Sequence, residues 1–369
     1  MVDWKNLVIF EKLCIEMKWL ALKIASLIYE TVVRFRNLLF NLGWISSRSF
    51  DVPVICIGNI TVGGTGKTPA VESIVSRYCL TRNVAVISRG YGRKTKGYRV
   101  VNVDDTYVTV GDEPLQIKRK FPQIPVIVCE KRVYGIERLL SEFPDTDLVI
   151  MDDGFQHRYV KPFINIIMVD ATRPVDKDHM LPLGQLRDNI TSLHRAHYFI
   201  VTKCPDDMQP LHTRLWKKNL ISKASQLIYF TRQRQGDAVP VFADVTETLP
   251  RGSKVVTMSG IGNSDAFNKA MAKRYEVVEN IDFDDHHIYR VNDLKMMIGA
   301  LERHPEAYII TTEKDAVKLA HSSRFPAHLR NRLFYERVEI TFNDGTVNDF
   351  FQNLDKDIDK FNDDKYVKG

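Results

Sequence analysis

The 369-residue sequence has little cysteine and no charge excess large enough to identify a class of partner. Its five cysteines are odd in number, widely spaced and set in apolar runs. They predict small buried side chains in a reducing compartment, not a disulfide framework or a metal site. The 52 Lys and Arg residues exceed the 46 Asp and Glu residues by only six, which is too weak an imbalance for a nucleic-acid-binding protein. With 44% apolar and 27% charged residues, the composition also excludes a disordered, collagen-like or multi-span membrane chain.

The N-terminal region lacks an uninterrupted apolar stretch. Residues 7–44 are rich in Leu, Ile, Val, Phe and Trp, but Lys18, Lys23, Glu30 and Arg34 interrupt them. Because a transmembrane helix needs about 18 or more consecutive apolar residues, we expect no span here, and the pattern of a cleaved export signal is missing. Apolar residues recur at helical spacing, which predicts one face of a long helix or of two consecutive ones.

The polar face of this helical region is net basic, and Trp19, Phe35, Phe40 and Trp44 lie among the apolar residues. This combination suits a helix in the interface of an anionic membrane leaflet. Packing against the body of the protein is the alternative that composition leaves open.

After Asp51, short β-branched runs alternate with helical stretches, which is typical of parallel βαβ units. The first series of predicted strands is 54–57, 84–88, 126–129, 148–152, 164–169 and 198–202. Residues 226–231 and 239–243 can form linking strands. A second, smaller series has strands at 254–258, 276–281, 308–312 and 334–340, with helices near 264–274 and 291–302. The tail from residue 343 predicts one solvated amphipathic helix.

The strand at 54–57 leads into a glycine-rich loop, Gly58-Asn59-Ile60-Thr61-Val62-Gly63-Gly64-Thr65-Gly66-Lys67-Thr68-Pro69, and then into a helical pattern. This is the setting of a phosphate-binding loop, in which backbone N–H groups and the helix N-terminus face the phosphates. Lys67 would reach the β- and γ-phosphates, and Thr68 would offer a hydroxyl to Mg²⁺. The predicted nucleotide-binding residues are Thr61, Val62, Gly63, Gly64, Thr65, Gly66, Lys67 and Thr68. Thr61 departs from the common pattern, which has glycine at this position.

An acidic element supports the phosphate-loop interpretation. Residues 147–151 form an apolar strand that ends in Asp152 and Asp153. Phosphate-loop proteins hold Mg²⁺ through an acidic residue at the carboxyl edge of such a strand, so we predict a metal role for one of the pair.

Three kinds of phosphate-loop protein are compatible with these elements. A GTPase would carry Asn-Lys-x-Asp after a strand, but Thr202-Lys203-Cys204-Pro205 lacks the aspartate. Membrane-associated partitioning ATPases have a lysine before the Gly-Gly pair, where this chain has Val62. A kinase acting on a small molecule or a lipid remains, and it needs a base for the acceptor's proton.

A set of ordered motifs resembles the tetraacyldisaccharide 4′-kinase family of lipid A biosynthesis. Besides Gly58–Pro69, these motifs are Ser88–Arg93, Gly111–Pro114, Asp152–His157, Leu181–Arg187, Asp285–His287 and Thr312–Asp315. The resemblance extends in order over most of the chain to about residue 340, and Thr61 agrees with this family.

The resemblance implies transfer of the γ-phosphate of ATP to the 4′-hydroxyl of a tetraacylated disaccharide 1-phosphate, forming lipid IVA at the cytoplasmic face of a Gram-negative inner membrane. Asp112 is similar to the family's catalytic base. His286, directly after Asp285, is similar to the histidine that assists it, and the neighbouring His287 is a competing candidate. Glu113, with Asp152 and Asp153, resembles the acidic set around Mg²⁺. Further candidates for substrate contact are Asn59, Arg89, Tyr91, Arg93, Arg132 and His157.

The fold expectation is an α/β protein with a P-loop NTPase-like parallel-sheet domain, a smaller α/β domain and an N-terminal interfacial helix. The expected parts are a membrane-interface segment (1–47), a kinase core (48–222), a smaller α/β domain (223–342) and an acidic C-terminal helix (343–369). We expect a monomer that uses ATP and Mg²⁺, binds no nucleic acid and contacts the membrane surface. The alternative is a membrane-associated ATPase or GTPase that acts as a regulatory switch without an acceptor lipid.

Overall fold

The computed structural model describes residues 4–285, 287–320, 325–343 and 346–368, with side chains from residue 15 to residue 363 within those ranges. The chain is a mixed α/β protein with a large, mostly parallel sheet and an N-terminal helix. The helices are α1 Trp4–Asn41, α2 Lys67–Tyr78, α3 Tyr107–Val110, α4 Asp112–Lys120, α5 Arg132–Glu142, α6 Pro210–Leu220, α7 Ser264–Ala272, α8 Val291–Arg303, α9 Glu313–Leu319 and α10 Thr346–Lys368.

The strands begin at the β-branched runs that the sequence indicates. They are β1 Val54–Gly58, β2 Val84–Ser88, β3 Arg99–Val100, β4 Val126–Val128, β5 Leu148–Asp152, β6 Ile164–Asp170, β7 Tyr198–Thr202, β8 Leu227–Pro240, β9 Lys254–Ser259, β10 Glu276–Asp282, β11 Tyr308–Thr312 and β12 Leu333–Phe342. The two predicted linking strands are one long strand, β8, and the short β3 was not predicted.

The chain divides into two compact units. Unit 1 contains residues 1–67, 147–232 and 342–369, and unit 2 contains residues 68–146 and 233–341. This division groups residues that contact one another, so each unit combines segments from distant parts of the chain. The domain boundaries expected from the sequence are continuous segments, and they stay a prediction.

Unit 1 is built on parallel strands in the order β8-β7-β6-β1-β5. Every residue of β1, β5, β6 and β7 is buried, which explains why these strands read as continuous apolar runs. The register pairs Ile57 with Asp152, so the ends of β1 and β5 coincide. The glycine-rich loop after β1 and the acidic pair after β5 therefore start from neighbouring strand ends.

Helix α1 is one continuous helix of 38 residues, which settles the choice between one helix and two. Among the described residues, no helix combines the length and the apolar character needed to cross a membrane. At the other end of the chain, α10 is less solvated than expected, because Phe350, Leu354 and Ile358 are buried. Phe350 packs edge-on against Tyr229, with ring centroids 5.1 Å apart.

Unit 2 contains two strand groups. Strands β2 and β4 are parallel and β3 adds an antiparallel edge, whereas β10-β9-β11-β12 are parallel throughout. Helix α4 packs against α9, where Arg119 Nη1 donates to the carbonyl oxygen of Val317 at 2.8 Å. Of the described cysteines, Cys56, Cys129 and Cys204 are buried as expected, whereas Cys79 is only partly buried.

Candidate active site

The glycine-rich loop leaves β1 and turns back to begin α2 at Lys67. Gly63 and Gly66 have φ angles of +91° and +82°, a region that residues with a Cβ rarely adopt. Thr202, at the end of β7, donates its hydroxyl to the carbonyl oxygen of Thr65 at 3.0 Å. The loop thus has the strand–turn–helix form of a phosphate-binding loop, with a sheet residue fixing one of its carbonyl groups.

Thr61 occupies a position that does not need glycine in this chain. It forms an antiparallel bridge with Leu186 and is not among the residues with positive φ. Its neighbour Val62 donates its N–H to the carbonyl oxygen of Gln185 at 2.8 Å. Since the backbone here is held like a strand, a β-branched residue fits, and the departure from the common pattern has a structural reason.

Asp152 and Asp153 have different surroundings. Asp152 ends β5 and is 1% exposed. Asp153 follows with a φ of +47°, and both of its oxygens accept hydrogen bonds from the guanidinium of Arg187. Lys67 Nζ lies 3.9 Å from Asp153, so two cations offset this carboxylate. Arg187 ends the Leu181–Arg187 motif, but no pattern in the sequence indicates this role for it.

Asn59 lies inside the base of the loop and is completely buried. Its amide donates to Thr65 Oγ1 at 2.8 Å, its amide oxygen accepts from Arg187, and its carbonyl oxygen accepts from Gln156 Nε2 at 2.7 Å. These bonds support the loop, so the structure places Asn59 beneath the loop and not on an exposed surface. His157 is partly buried, and its ring lies 5.6 Å from that of Tyr159.

Lys203 is a loop contact that the sequence analysis missed. It has a φ of +56°, and its ammonium group donates to the carbonyl oxygen of Gly64 at 2.7 Å and to Asp170 Oδ2 at 2.6 Å. Burial alone would raise the pKa of Asp170, but hydrogen bonds from Lys203 and Thr172 hold it below its ordinary value. The lysine of the Thr-Lys-Cys-Pro sequence is therefore tied to the phosphate loop, although it belongs to no guanine-reading motif.

In unit 2, Asp112 is the first residue of α4 and is 6% exposed. Gly111 precedes it with a φ of +93°, and a Cβ there would lie 3.0 Å from the Cα of Gly90. This close approach packs the loop after β2 against the start of α4. Glu113, the proposed metal ligand, follows in the same turn and is partly buried.

Two lysines from α9 face Asp112. Lys314 Nζ and Lys318 Nζ lie 3.7 Å and 4.0 Å from Asp112 Oδ2. Lys318 also contacts Asp315 at 3.2 Å, and both of these side chains are almost fully buried. Lys314 lies 3.9 Å from Asp285 as well. His286, the predicted assisting residue, lies outside the described residues.

The four other substrate candidates of unit 2 fall into two groups. Arg93 is 2% exposed at its side chain and pairs with Glu130 at 2.6 Å, and Arg132 is also buried. Arg89 and Tyr91, in contrast, are exposed on the loop after β2. Arg93 and Arg132 therefore lie inside the protein, whereas Arg89 and Tyr91 face solvent.

The predicted metal ligands come from both units. Thr68 and Glu113 belong to unit 2, and Asp152 and Asp153 belong to unit 1. Among the described residues, no group of three or more His, Cys, Asp or Glu side chains could hold a metal ion by itself. The magnesium assignment stays a prediction.

Comparisons with known proteins show which family and which fold the chain shares. A family model described as LpxK, tetraacyldisaccharide-1-P 4′-kinase, matches residues 18–358. The tetraacyldisaccharide 4′-kinase of Phocaeicola vulgatus is 39% identical over 325 residues, covering 86% of this chain and 89% of the relative. That of Porphyromonas gingivalis strain W83 is 39% identical over 331 residues, covering 88% and 92%. The crystal structure of the "apo" form of LpxK from Aquifex aeolicus in complex with ATP matches with a TM-score of 0.71 and 24% identity, covering 93% of this chain and 99% of that one, and shows a shared fold.

Proposed function

The chain belongs to the tetraacyldisaccharide-1-P 4′-kinase family, and from this we propose that it transfers the γ-phosphate of ATP to the 4′-hydroxyl of tetraacyldisaccharide 1-phosphate, forming lipid IVA. The observation that carries the proposal is the loop between β1 and α2. Glycines with positive φ set its turns, and Lys67 at its end contacts Asp153, which also pairs with Arg187. This loop also supports the finer description of the core as P-loop NTPase-like.

Phosphoryl transfer depends mainly on alignment and on neutralising charge. Lys67 would bind the β- and γ-phosphates, and its contact with Asp153 keeps its ammonium group at the loop. Asp112 would accept the proton of the acceptor hydroxyl, and Lys314 and Lys318 hold its carboxylate in place. His286 would assist Asp112, as the resemblance implies.

The residues present suit Mg²⁺, which prefers carboxylate and hydroxyl oxygens. The candidates for holding the ion are the hydroxyl of Thr68 and the carboxylates of Glu113, Asp152 and Asp153. When bound, the ion would neutralise charge on the phosphates. Arg89 and Tyr91, which are exposed, are better placed for substrate contact than Arg93 and Arg132.

Helix α1 supports association with the cytoplasmic face of the inner membrane. Its outward side exposes apolar residues that include Trp19, Ile24, Leu27 and Phe35, each at least 53% exposed. Lys23 and Arg34 flank this side, as expected at an anionic leaflet. We further propose that the enzyme acts as a monomer.

The test is a phosphorylation assay with purified full-length protein, Mg-ATP and tetraacyldisaccharide 1-phosphate in detergent micelles. We expect a product with a second phosphate, dependent on both ATP and the acceptor. Nucleotide hydrolysis that is independent of the acceptor, with no phosphorylated lipid, would instead support a regulatory switch. A flotation assay with vesicles containing anionic lipid tests α1, with Ile24→Asp and Leu27→Asp expected to release the protein. Leu80→Asp, which changes an 87% exposed leucine outside α1, is the control.

A further inference from the structure

Helix α1 is amphipathic, but its polar side faces the protein and its apolar side is exposed, which is the reverse of an ordinary docked helix. Its inward positions follow the spacing Ser26, Tyr29, Glu30, Val33, Arg36, Asn37 and Phe40, and all of them are buried or partly buried. Most of these residues are polar, whereas the exposed side is apolar. Burial of apolar surface alone would not select this inward composition, because polar groups that leave water need specific partners.

The partners of the inward polar residues are concentrated in one segment, residues 180–189, which we call the brace segment. Ser26 Oγ donates to the carbonyl oxygen of Met180 at 2.7 Å, and Tyr29 OH donates to that of Arg187 at 3.1 Å. Additional bonds join Asn37 to Asp188 at 2.9 Å and Asn189 to Glu30 at 2.9 Å. The helix is thus fastened to the brace segment along several turns.

The opposite side of the brace segment holds the phosphate loop. Gln185 O accepts from Val62 N at 2.8 Å, and Arg187 N donates to the carbonyl oxygen of Ile60 at 2.8 Å. The guanidinium of Arg187 also donates to Asn59 and Asp153. Arg187 therefore contacts α1 through its carbonyl oxygen and the loop through its N–H and its side chain.

A second connection runs through Gln156. Arg36 of α1 donates to the carbonyl oxygen of Gln156, whose side-chain amide donates to the carbonyl oxygen of Asn59 at 2.7 Å. Asn59 in turn bonds to Thr65 within the loop. Two independent hydrogen-bonded routes thus join α1 to the same few residues of the phosphate loop.

From these contacts we infer that Tyr29 and Arg36 are positioning residues for the phosphate loop, acting through Arg187 and Gln156, so that the helix with the exposed apolar side also sets the geometry of the nucleotide site. The catalytic consequence rests on the proposed function, since small displacements of a positioned group cost rate. The structural consequence, an ordered backbone in residues 60–66, does not depend on the proposed function.

The experiment compares matched variants of full-length protein in detergent micelles. Arg36→Met removes the guanidinium that bonds to Gln156. Arg34→Met removes an exposed guanidinium that pairs with Glu30 on the same helix, and it leaves the bond from Asn189 to Glu30 in place. Tyr29→Phe removes only the hydroxyl that bonds to Arg187, and Thr31→Val removes an exposed hydroxyl that bonds within the helix. Arg36→Lys is the conservative variant.

Hydrogen exchange of the amides of residues 60–66 is the first readout. We expect exchange about tenfold faster in Arg36→Met and a few-fold faster in Tyr29→Phe, since a charged hydrogen bond contributes more than a neutral one. Arg34→Met and Thr31→Val should match wild type, and Arg36→Lys should recover part of the protection. Equal exchange in Arg36→Met and Arg34→Met, at equal thermal stability, would overturn the inference.

Kinetics provide the second readout. With the acceptor lipid, kcat of Arg36→Met should fall about tenfold while the KM for the acceptor stays unchanged, because the defect lies at the phosphate loop. A change confined to the acceptor KM would overturn the inference and assign α1 to lipid binding only. If wild-type protein phosphorylates no acceptor, the proposed function fails, but the exchange comparison still decides the inference.

Discussion

The phosphate loop of unit 1 is held largely through its backbone, whereas Asp112 of unit 2 is held through side-chain charges. Carbonyl groups of the loop accept from Thr202 and Lys203, and glycines with positive φ set its turns. Asp112 instead faces the ammonium groups of Lys314 and Lys318, which come from a helix about two hundred residues further along the chain. The turns and the N–H groups of a phosphate-binding loop come from its own backbone, whereas the charge of a buried carboxylate must be balanced by cations from elsewhere in the chain.

The largest effect should come from replacing Asp112, whose carboxylate is held by the charges of lysine side chains. We expect Asp112→Asn to lower kcat by about 10²- to 10⁴-fold, because the amide cannot accept the acceptor's proton. The affinity for ATP should stay within about twofold, since the loop that binds phosphates is unchanged. Steady-state kinetics and equilibrium titration with ATP would check this, with Asp104→Asn, an exposed carboxylate of the same unit, as control. Turnover near the wild-type value would remove Asp112 from the proposed chemistry.

Stability should separate the two regions next. Lys318→Met leaves Asp112 and Asp315 buried without this cation, which should lower the free energy of unfolding by about 3–5 kcal/mol. Lys203→Met should cost only about 1–2 kcal/mol, because its side chain is partly exposed and Thr202 still holds the loop. Urea unfolding of both variants beside wild type tests the difference. Equal losses would show that the two regions depend on buried charge to the same degree.

This difference also explains how much could be predicted from the sequence. The loop, the strand ending in Asp152 and most strand bounds follow from local patterns, so the sequence predicted them. Arg187 and Lys203 act through positions that no local pattern connects to the loop. Lys314 and Lys318 meet Asp112 only after the chain has folded, and the role of Asp112 itself came from resemblance and stays untested.

A smaller effect should follow from weakening the contact between Arg187 and the residues of the phosphate loop. Arg187→Lys keeps the charge but loses the two-pronged contact with Asp153 and the bond to Asn59. We expect kcat/KM for ATP to fall by about tenfold, since the loop shifts without losing its charge balance. Arg303→Lys is the matched control, because Arg303 makes a two-pronged contact with Glu279 in unit 2. If both variants changed kcat/KM for ATP equally, the two-pronged contact of the Arg187 guanidinium would have no special role.

The smallest effect concerns the pH dependence of stability, through the contact between Lys120 of α4 and Glu313 of α9. Lys120 of α4 lies 2.5 Å from Glu72 and 3.5 Å from Glu313 of α9. Burial, together with the charge of Glu72, raises the pKa of Glu313 from 4.5 to about 7 despite Lys120. Since the folded chain holds this proton more tightly than the unfolded chain between these two values, its stability should rise as the pH falls from 8 towards 5.

Glu313→Gln tests this dependence, because the amide has no proton to take up. We expect the variant to be more stable than wild type at pH 8 by about 1–2 kcal/mol, with the gain vanishing near pH 5. Glu306→Gln, which alters a carboxylate 81% exposed, should leave the pH dependence unchanged. Unfolding curves at several pH values decide the matter. A variant whose stability depends on pH with the same slope as wild type would place the titrating group elsewhere.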